Sequence, residues 1–413
     1  MVSYGILFLG LFILFFTNEV CLLENGLAKT PPMGWMSWGY YMCADNCSAN
    51  PDRCLNEELI MSVADAFYNE GYQEAGYEYI IIDDCWSERQ RDEKGRLVPD
   101  HKRFPRGMKF LADYIHGKGL KFGMYLNIAV DTCMRYPGSR GHFRVDTKSL
   151  AEWDVDYVKV DGCFVEEEYL DIAYIKLGHY LNKTGRPMVY SCSWPYYKKY
   201  IHKHEPVYSQ IVPICNMWRN YHDVAVKWGH VRYIYKFYEG MATEIGKYHG
   251  PGHWNDPDML IVGTNALSPN QNRIQMSIWA MLSAPLIFSC DMKQVTADER
   301  RLLQNLQLIA VAQDPLGRMA TPHKIQRDVT IWVKLHLPSK GDMFYSYSFA
   351  IVNLGTTSVS VTLRPRRYGL NSTDDYTVMD VFSGNMLKNM SAYASMEVIV
   401  PPEDVIMYSL FPL

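Results

Sequence analysis

Through the first three quarters of the chain, short apolar runs alternate with longer amphipathic stretches. The runs Met33–Trp38, Tyr79–Asp83, Lys121–Leu126, Tyr157–Val160, Met188–Ser191, Ile211–Met217, Met259–Val262 and Leu286–Ser289 read as strands buried on both faces, because each is short, apolar and without polar alternation. Between them, segments such as Glu57 to Glu70 and Gly107 to Gly117 place apolar residues at helical spacing, and Glu70-Gly71 and Lys118-Gly119 supply glycine stops. Strand and helix alternating eight times predict an α/β fold of the (β/α)8 TIM-barrel type. An open doubly wound sheet would need a Gly-rich phosphate loop after its first strand, and none is present.

After Asp314-Pro315-Leu316-Gly317 the texture changes. From Asp328 the chain reads as strand after strand: DVTIWVKLHL, MFYSYSFAIVN, SVSVTL, DYTVMDVF, MEVIV and DVIMYSLF. The period-two alternation of Ser358-Val359-Ser360-Val361 suits a C-terminal antiparallel β-sandwich with one wet face. Lacking a cluster of titratable residues, this unit reads as structural, with a carbohydrate-binding module as the alternative role. The expected organisation is a signal peptide over 1–22, a barrel over 23–315 and a sandwich over 316–413.

The signal peptide rests on Ile6 to Phe16, eleven residues that are too few to span a bilayer but suit a signal-peptide core. It has no preceding Lys or Arg, and cleavage falls loosely near Cys21 to Leu23. A secretory route makes the cysteines readable as disulfides. Without Cys21, nine remain, and Cys290 in the apolar context LIFSC is the candidate free thiol. Sequons at Asn46, Asn182, Asn371 and Asn389 agree with glycosylation on that route. Composition excludes whole classes: 413 residues, 48% hydrophobic, 21% charged and net charge −4 describe neither a disordered chain nor a nucleic-acid binder. Aromatics at 14% point instead to surfaces that stack on flat or apolar faces such as sugars.

Chemistry in a barrel sits at the C-terminal ends of its strands. Standing there are Trp38, Asp83-Asp84-Cys85-Trp86, Tyr125, Lys159-Val160-Asp161, Cys192-Ser193-Trp194, Trp218-Arg219-Asn220-Tyr221-His222-Asp223 and Trp254-Asn255-Asp256-Pro257-Asp258. A single strand-end Asp is ordinarily a helix N-cap. Six carboxylates on one rim, interleaved with Trp, Lys and Arg, fit glycoside hydrolysis, in which one carboxylate attacks or activates water and another shuttles a proton. The rival is a metal-dependent hydrolase built on Asp256, Asp258, His222 and His253. No strand carries the His-x-His or His-plus-carboxylate spacing a divalent ion needs, so neither metal nor cofactor is expected.

The blocks LENGLAKTPPMGW, YEYIIIDDCW, GRLVPDHKRFP, DYVKVDGC, YSCSWP, CNMWRNYHD, GPGHWNDPDML and QDPLG resemble glycoside hydrolase family 27, the lysosomal α-galactosidase and α-N-acetylgalactosaminidase family, from Leu23 to Leu413. The resemblance implies a barrel followed by a sandwich, a homodimer, and double displacement with retention on a carbohydrate substrate, with no nucleic acid and no stable membrane insertion. It makes Asp161 the nucleophile and Asp223 the general acid/base, with a carboxyl separation of about 5–5.5 Å. It assigns Asp83, Asp84 and Lys159 to the axial and primary hydroxyls and Trp38 to the pocket floor. It puts Arg219 and Asp258 near the sugar's 2-position, and lines the pocket with Tyr125, Tyr196 and Tyr197. Its disulfides map to Cys43–Cys85, Cys47–Cys54, Cys133–Cys163 and Cys192–Cys215.

Sugar preference turns on the loop after the fifth strand. Ser193 matches the N-acetylgalactosaminidase type, whereas Tyr196 matches neither type. The expected activity removes terminal α-linked N-acetylgalactosamine or galactose from glycolipids, glycoproteins or oligosaccharides, with an optimum below neutral pH in a lysosome or, alternatively, after secretion. Two alternatives are a strict α-galactosidase whose acetamide space is filled by Tyr196 and a catalytically silent sugar-binding relative. Leu126-Asn127 is a second departure, where the family usually has Ala-Asp.

Overall fold

The computed structural model describes residues 25–341, 344–370, 372 and 374–413. The expected signal peptide, Cys21 and the Asn371 of one sequon lie outside these residues. Eight parallel strands form the first sheet: β1 Met33–Met36, β2 Tyr79–Ile81, β3 Lys121–Asn127, β4 Tyr157–Asp161, β5 Val189–Cys192, β6 Met217–Arg219, β7 Trp254–Asp256 and β8 Leu286–Phe288. They pair in the order β7-β6-β5-β4-β3-β2-β1-β8. Leu260 closes the gap between the two ends: its N–H donates to Ile287 O at 2.8 Å and its carbonyl accepts from Ser289 N at 2.9 Å. The result is a barrel whose strand residues are buried almost throughout, as the uninterrupted apolar runs require.

The amphipathic segments form the outer helices. Glu57–Asn69 starts with the Asn56 side chain accepting from Leu59 N and buries Ile60, Val63, Ala64 and Phe67 on one face. Gly71, at φ +83°, turns the chain out of it in a conformation only glycine adopts freely. Two expected strands are displaced. In Ile211–Met217 the chain is still finishing a short helix, Tyr208–Ile211, and turning through Pro213, so β6 begins only at Met217. Met259–Val262 is not β7 but the closing segment beside β8. β7 itself is Trp254–Asp256, whose polar side chains hide it from a search for apolar runs.

The second unit packs a six-stranded antiparallel sheet against a two-stranded one. Its strands are β9 Thr321–Gln326, β10 Val329–Lys340, β11 Phe344–Asn353, β12 Val359–Leu363, β13 Tyr376–Asp380, β14 Met386–Met390, β15 Met396–Val400 and β16 Asp404–Pro412. Their orders are β14-β13-β16-β11-β10-β9 and β12-β15, and Val329, Ile331, Phe349, Val361, Val378, Val398 and Leu410 share the core between them. On the other face, buried Trp332 donates to Tyr235 Oη at 2.9 Å and Lys334 Nζ to Ser283 Oγ at 2.6 Å, which pins the sheet to the barrel's helices.

Disulfides join Cys43–Cys85, Cys47–Cys54, Cys133–Cys163 and Cys192–Cys215, and Cys290 is free and buried. Four disulfides place the chain in the oxidising secretory pathway. Among the described residues no helix is long and apolar enough to cross a membrane. Asn46 and Asn389 are exposed and Asn182 half-buried.

Candidate active site

Strand periodicity aims the chemistry. In β4, Tyr157, Lys159 and Asp161 are successive alternate residues, so all three point into the barrel while Val158 and Val160 face the helices. Lys159 Nζ, buried at the barrel centre, meets Asp83 Oδ2 at 2.7 Å. Asp83 is held at the end of β2 by two local bonds: its own N–H donates to Ser37 Oγ at 2.9 Å, and its Oδ1 accepts from Asp84 N at 2.8 Å. Burial raises the Asp83 carboxyl, with the Lys159 charge opposing it. Burial likewise lowers the Lys159 ammonium, but Asp83 and Asp161 outweigh that and hold it charged, above its ordinary range. Asp84 accepts from Cys85 N at 2.6 Å and Met134 N at 3.0 Å, yet desolvation still pushes its carboxyl up to about 6.

Asp161 closes β4 at the mouth of this interior. Ser193 Oγ donates to its Oδ1 at 2.5 Å, and Arg219 NH2 lies 3.6 Å from the same oxygen. The other arm of Arg219 reaches Asp223 Oδ1 at 3.0 Å and Tyr221 O at 2.5 Å. One guanidinium therefore spans both carboxylates that the sequence singled out. Its Nε is buried with no hydrogen-bond partner. Asp223 is the outer member, with 54% of its side chain exposed. Partial desolvation raises its carboxyl, but Arg219 first, then Lys159 and His222, outweigh this and hold it below the usual range.

Behind Asp223 sits Asp258, whose Oδ2 accepts from Val224 N at 2.7 Å. Its backbone takes φ +76°, a left-handed conformation that costs a non-glycine residue on the order of 1 kcal/mol. Asp256 Oδ1 accepting from Asp258 N at 2.8 Å, and Trp279 Nε1 donating to Asp258 O at 2.7 Å, hold that turn in place. Burial and the nearby Asp223 charge both raise the Asp258 carboxyl. Two neighbouring carboxyls are thus pushed in opposite directions, an arrangement that parks a proton at the site.

The wall is aromatic and disulfide-braced. Tyr125 Oη donates to Cys133 Sγ at 3.3 Å, and Tyr197 Oη lies 3.0 Å from Cys163 Sγ. Gly162 lets this wall approach Asp161, since a Cβ there would meet the Tyr197 ring at 3.1 Å. Trp38, half-buried, opens the short helix after β1. Tyr196 lies with its ring over the Arg219 guanidinium, 4.3 Å from the centroid. Beneath the carboxylates, Met36, Tyr157, Ser191, Asp256 and Met259 join Lys159 and Arg219 around a small cavity with room for about one water. Tyr157, Ser191, Met36 and Met259 escaped the sequence reading. The alternate positions of β4 were a signal for Tyr157, and the register that sets Ser191 beside Lys159 exists only once strands pair.

The rival metal set does not converge. Asp256 and Asp258 lie behind Arg219, whereas exposed His222 packs among Tyr196, Tyr200 and Tyr221. Among the described residues no group of three His, Cys, Asp or Glu is arranged to hold a metal ion.

The family model described as Alpha galactosidase A matches residues 30–314, and that for the Alpha galactosidase C-terminal beta sandwich domain matches residues 326–410. The chain belongs to this glycosidase family, glycoside hydrolase family 27. It is 39% identical to the alpha-N-acetylgalactosaminidase of Gallus gallus, covering 94% of this chain and 95% of that one. Human alpha-galactosidase A is 42% identical over 75% of this chain and 72% of its own. Among solved structures, alpha-galactosidase I from Mortierella vinacea superposes with a TM-score of 0.82 at 28% identity, over 94% of this chain and 98% of that one. The protein is therefore a glycoside hydrolase with a barrel and an antiparallel sandwich.

Proposed function

We propose that this hydrolase is a retaining, exo-acting α-glycosidase that removes terminal α-linked N-acetylgalactosamine, and with it galactose, from glycolipids, glycoproteins or oligosaccharides. The observation that carries the reading is Arg219 spanning Asp161 and Asp223 at 3.6 and 3.0 Å. One side chain bridging the pair suits the narrow carboxyl gap of a retaining enzyme, about 5–5.5 Å. Asp161 attacks the anomeric carbon, the glycosidic C–O bond breaks, and Asp223 gives its proton to the departing oxygen. In the second step water adds to the same carbon, Asp223 takes its proton, and the ester to Asp161 breaks. The buried Asp83–Lys159 pair and Asp84 present acceptors and donors to the sugar's hydroxyls, and Trp38 offers an indole face to its C–H patch.

Arg219 holds Asp223 below the usual carboxylate range while burial raises Asp258 beside it, so the pair shares a proton that is lost as the pH rises. A lysosomal address and a homodimer belong to the same proposal. Relatives named for each sugar support both substrates, and Ser193, as in the amino-sugar type, supports N-acetylgalactosamine. The test is hydrolysis of a chromogenic α-N-acetylgalactosaminide and its α-galactoside counterpart at acidic pH, with Asp161→Asn as control. Turnover of the first that Asp161→Asn abolishes is expected. A folded Asp161→Asn variant that keeps near-normal turnover would overturn the assignment.

A further inference from the structure

A general acid must stand beside the bond it protonates, so the leaving group of this reaction lies on the Asp223 side of the pocket. What borders that side is not assigned by the catalytic reading. The chain leaves β5 through the short helix Trp194–Tyr196 and then a single π-turn, Tyr197–Ile201, a distortion that recurs at functional sites. The turn brings Tyr200 out beside the β6 loop. There its ring stacks on Tyr196 at 5.8 Å with the planes 29° apart, tilted against His222 at 4.7 Å and edge-on to Tyr221 at 5.2 Å. His222 is exposed and Tyr200 half-buried, so the cluster is a surface shelf rather than core. His222 is also the residue next to Asp223, which fixes the shelf to the mouth of the pocket.

We infer that Tyr200 and His222 form the subsite for the leaving group, and that its occupant is the next pyranose of an oligosaccharide. The part of these rings left exposed matches the C–H face of a pyranose, and the His222 imidazole edge offers a hydrogen bond that an alkyl chain cannot use. Tyr200 also backs Tyr196, whose ring lies over Arg219, so its effect on the leaving group is read against a substrate that carries no leaving sugar. This inference rests on the glycosidase reading, and three substrates separate the two. A glycosyl fluoride carries no leaving sugar and tests the activity alone. An α-linked disaccharide reaches the shelf with a sugar, and an octyl α-glycoside reaches it with an alkyl chain.

The experiment measures kcat/KM on all three for the wild type, Tyr200→Ala and Tyr200→Phe. The expected result is a fall of about tenfold in the disaccharide-to-fluoride ratio for Tyr200→Ala, the size of a lost stacking contact, with Tyr200→Phe close to wild type. The octyl-to-fluoride ratio changes little. Equal loss on all three substrates would mean a structural role and overturn the inference. So would an unchanged disaccharide ratio, or a loss on the octyl glycoside as large as on the disaccharide.

Discussion

Arg219→Met removes a charge from between two carboxylates while keeping most of the side chain's bulk. Arg219 NH1 stands 3.0 Å from Asp223 Oδ1. At an effective dielectric of about 20, a full charge at that distance is worth about 5 kcal/mol. Half of the Asp223 side chain faces solvent, which screens the interaction. What remains still favours the ionised carboxyl, as a close cation does. Without it, Asp223 keeps its proton to higher pH. The alkaline limb of kcat/KM, which reports the free enzyme's acid, moves up by one pH unit for every ~1.4 kcal/mol of the interaction that survives screening. Because Asp258 titrates alongside Asp223, the limb belongs to the pair and not to one residue.

The assay is the pH profile of kcat/KM on a disaccharide, whose poor leaving group needs the proton. A glycosyl fluoride, which needs little acid help, serves as the internal reference. Arg219→Lys retains the positive charge and is expected to leave the limb near its wild-type position, although its rate falls because a lysine cannot span both carboxylates. Arg219 is 3% exposed, so its loss also destabilises the fold, and a melting curve must show a folded variant at each pH. An alkaline limb for folded Arg219→Met that coincides with the wild type would refute the claim that this guanidinium sets the acid's pKa.

Two further substitutions probe the frame around the site. Gly162→Ala places a Cβ 3.1 Å from the buried Tyr197 ring. The ring must yield by a few tenths of an ångström, so kcat is expected to fall several-fold for a stability cost of about 1 kcal/mol; kcat and Tm measured together check this. Lys334 is fully buried between the units, and desolvation lowers its ammonium to about 7 against the opposing charge of Asp314. Its folded value lies below the unfolded one, so between about pH 7 and 10.5 the unfolded chain holds the extra proton and this residue's contribution to stability rises with pH. Chemical denaturation at pH 7, 8 and 9 should show the wild type gaining on Lys334→Met by up to about 1.4 kcal/mol per pH unit, and parallel curves would contradict it.

The barrel was legible where burial on both faces forced uninterrupted apolar runs, as in β2, β3, β4 and β8. It became illegible where a strand's inner face is itself the site. β7 carries Asn255 and Asp256, and its neighbour Met259–Val262 is apolar because it packs against β8 through Leu260. An apolar run therefore marks burial, not hydrogen-bonding partners. β9 and β14 were missed for the complementary reason. β14 is an edge strand with Met386 to Asn389 exposed, so no buried face writes a period into its sequence.

Within the site, the sequence located carboxylates by their place at strand ends, and the structure brings Asp83, Asp161, Asp223 and Asp258 around Lys159 and Arg219, with Asp84 next to Asp83. Their electrostatic roles were not legible, because an Asp at a strand end looks the same whether it faces one cation or two. Asp84 and Asp223 stand on one rim, yet burial pushes the first up while Arg219 holds the second down. The Tyr196 ring shows the same limit in a sharper form. Its size suggested a plug for the acetamide space, but size does not say which way a side chain turns. The structure lays that ring on Arg219 and backs it with Tyr197, Tyr200 and His222. A ring so placed holds the guanidinium against both carboxylates. A bulky residue at this position thus makes physical sense as support for the proposed catalytic pair, independent of the sugar the enzyme prefers.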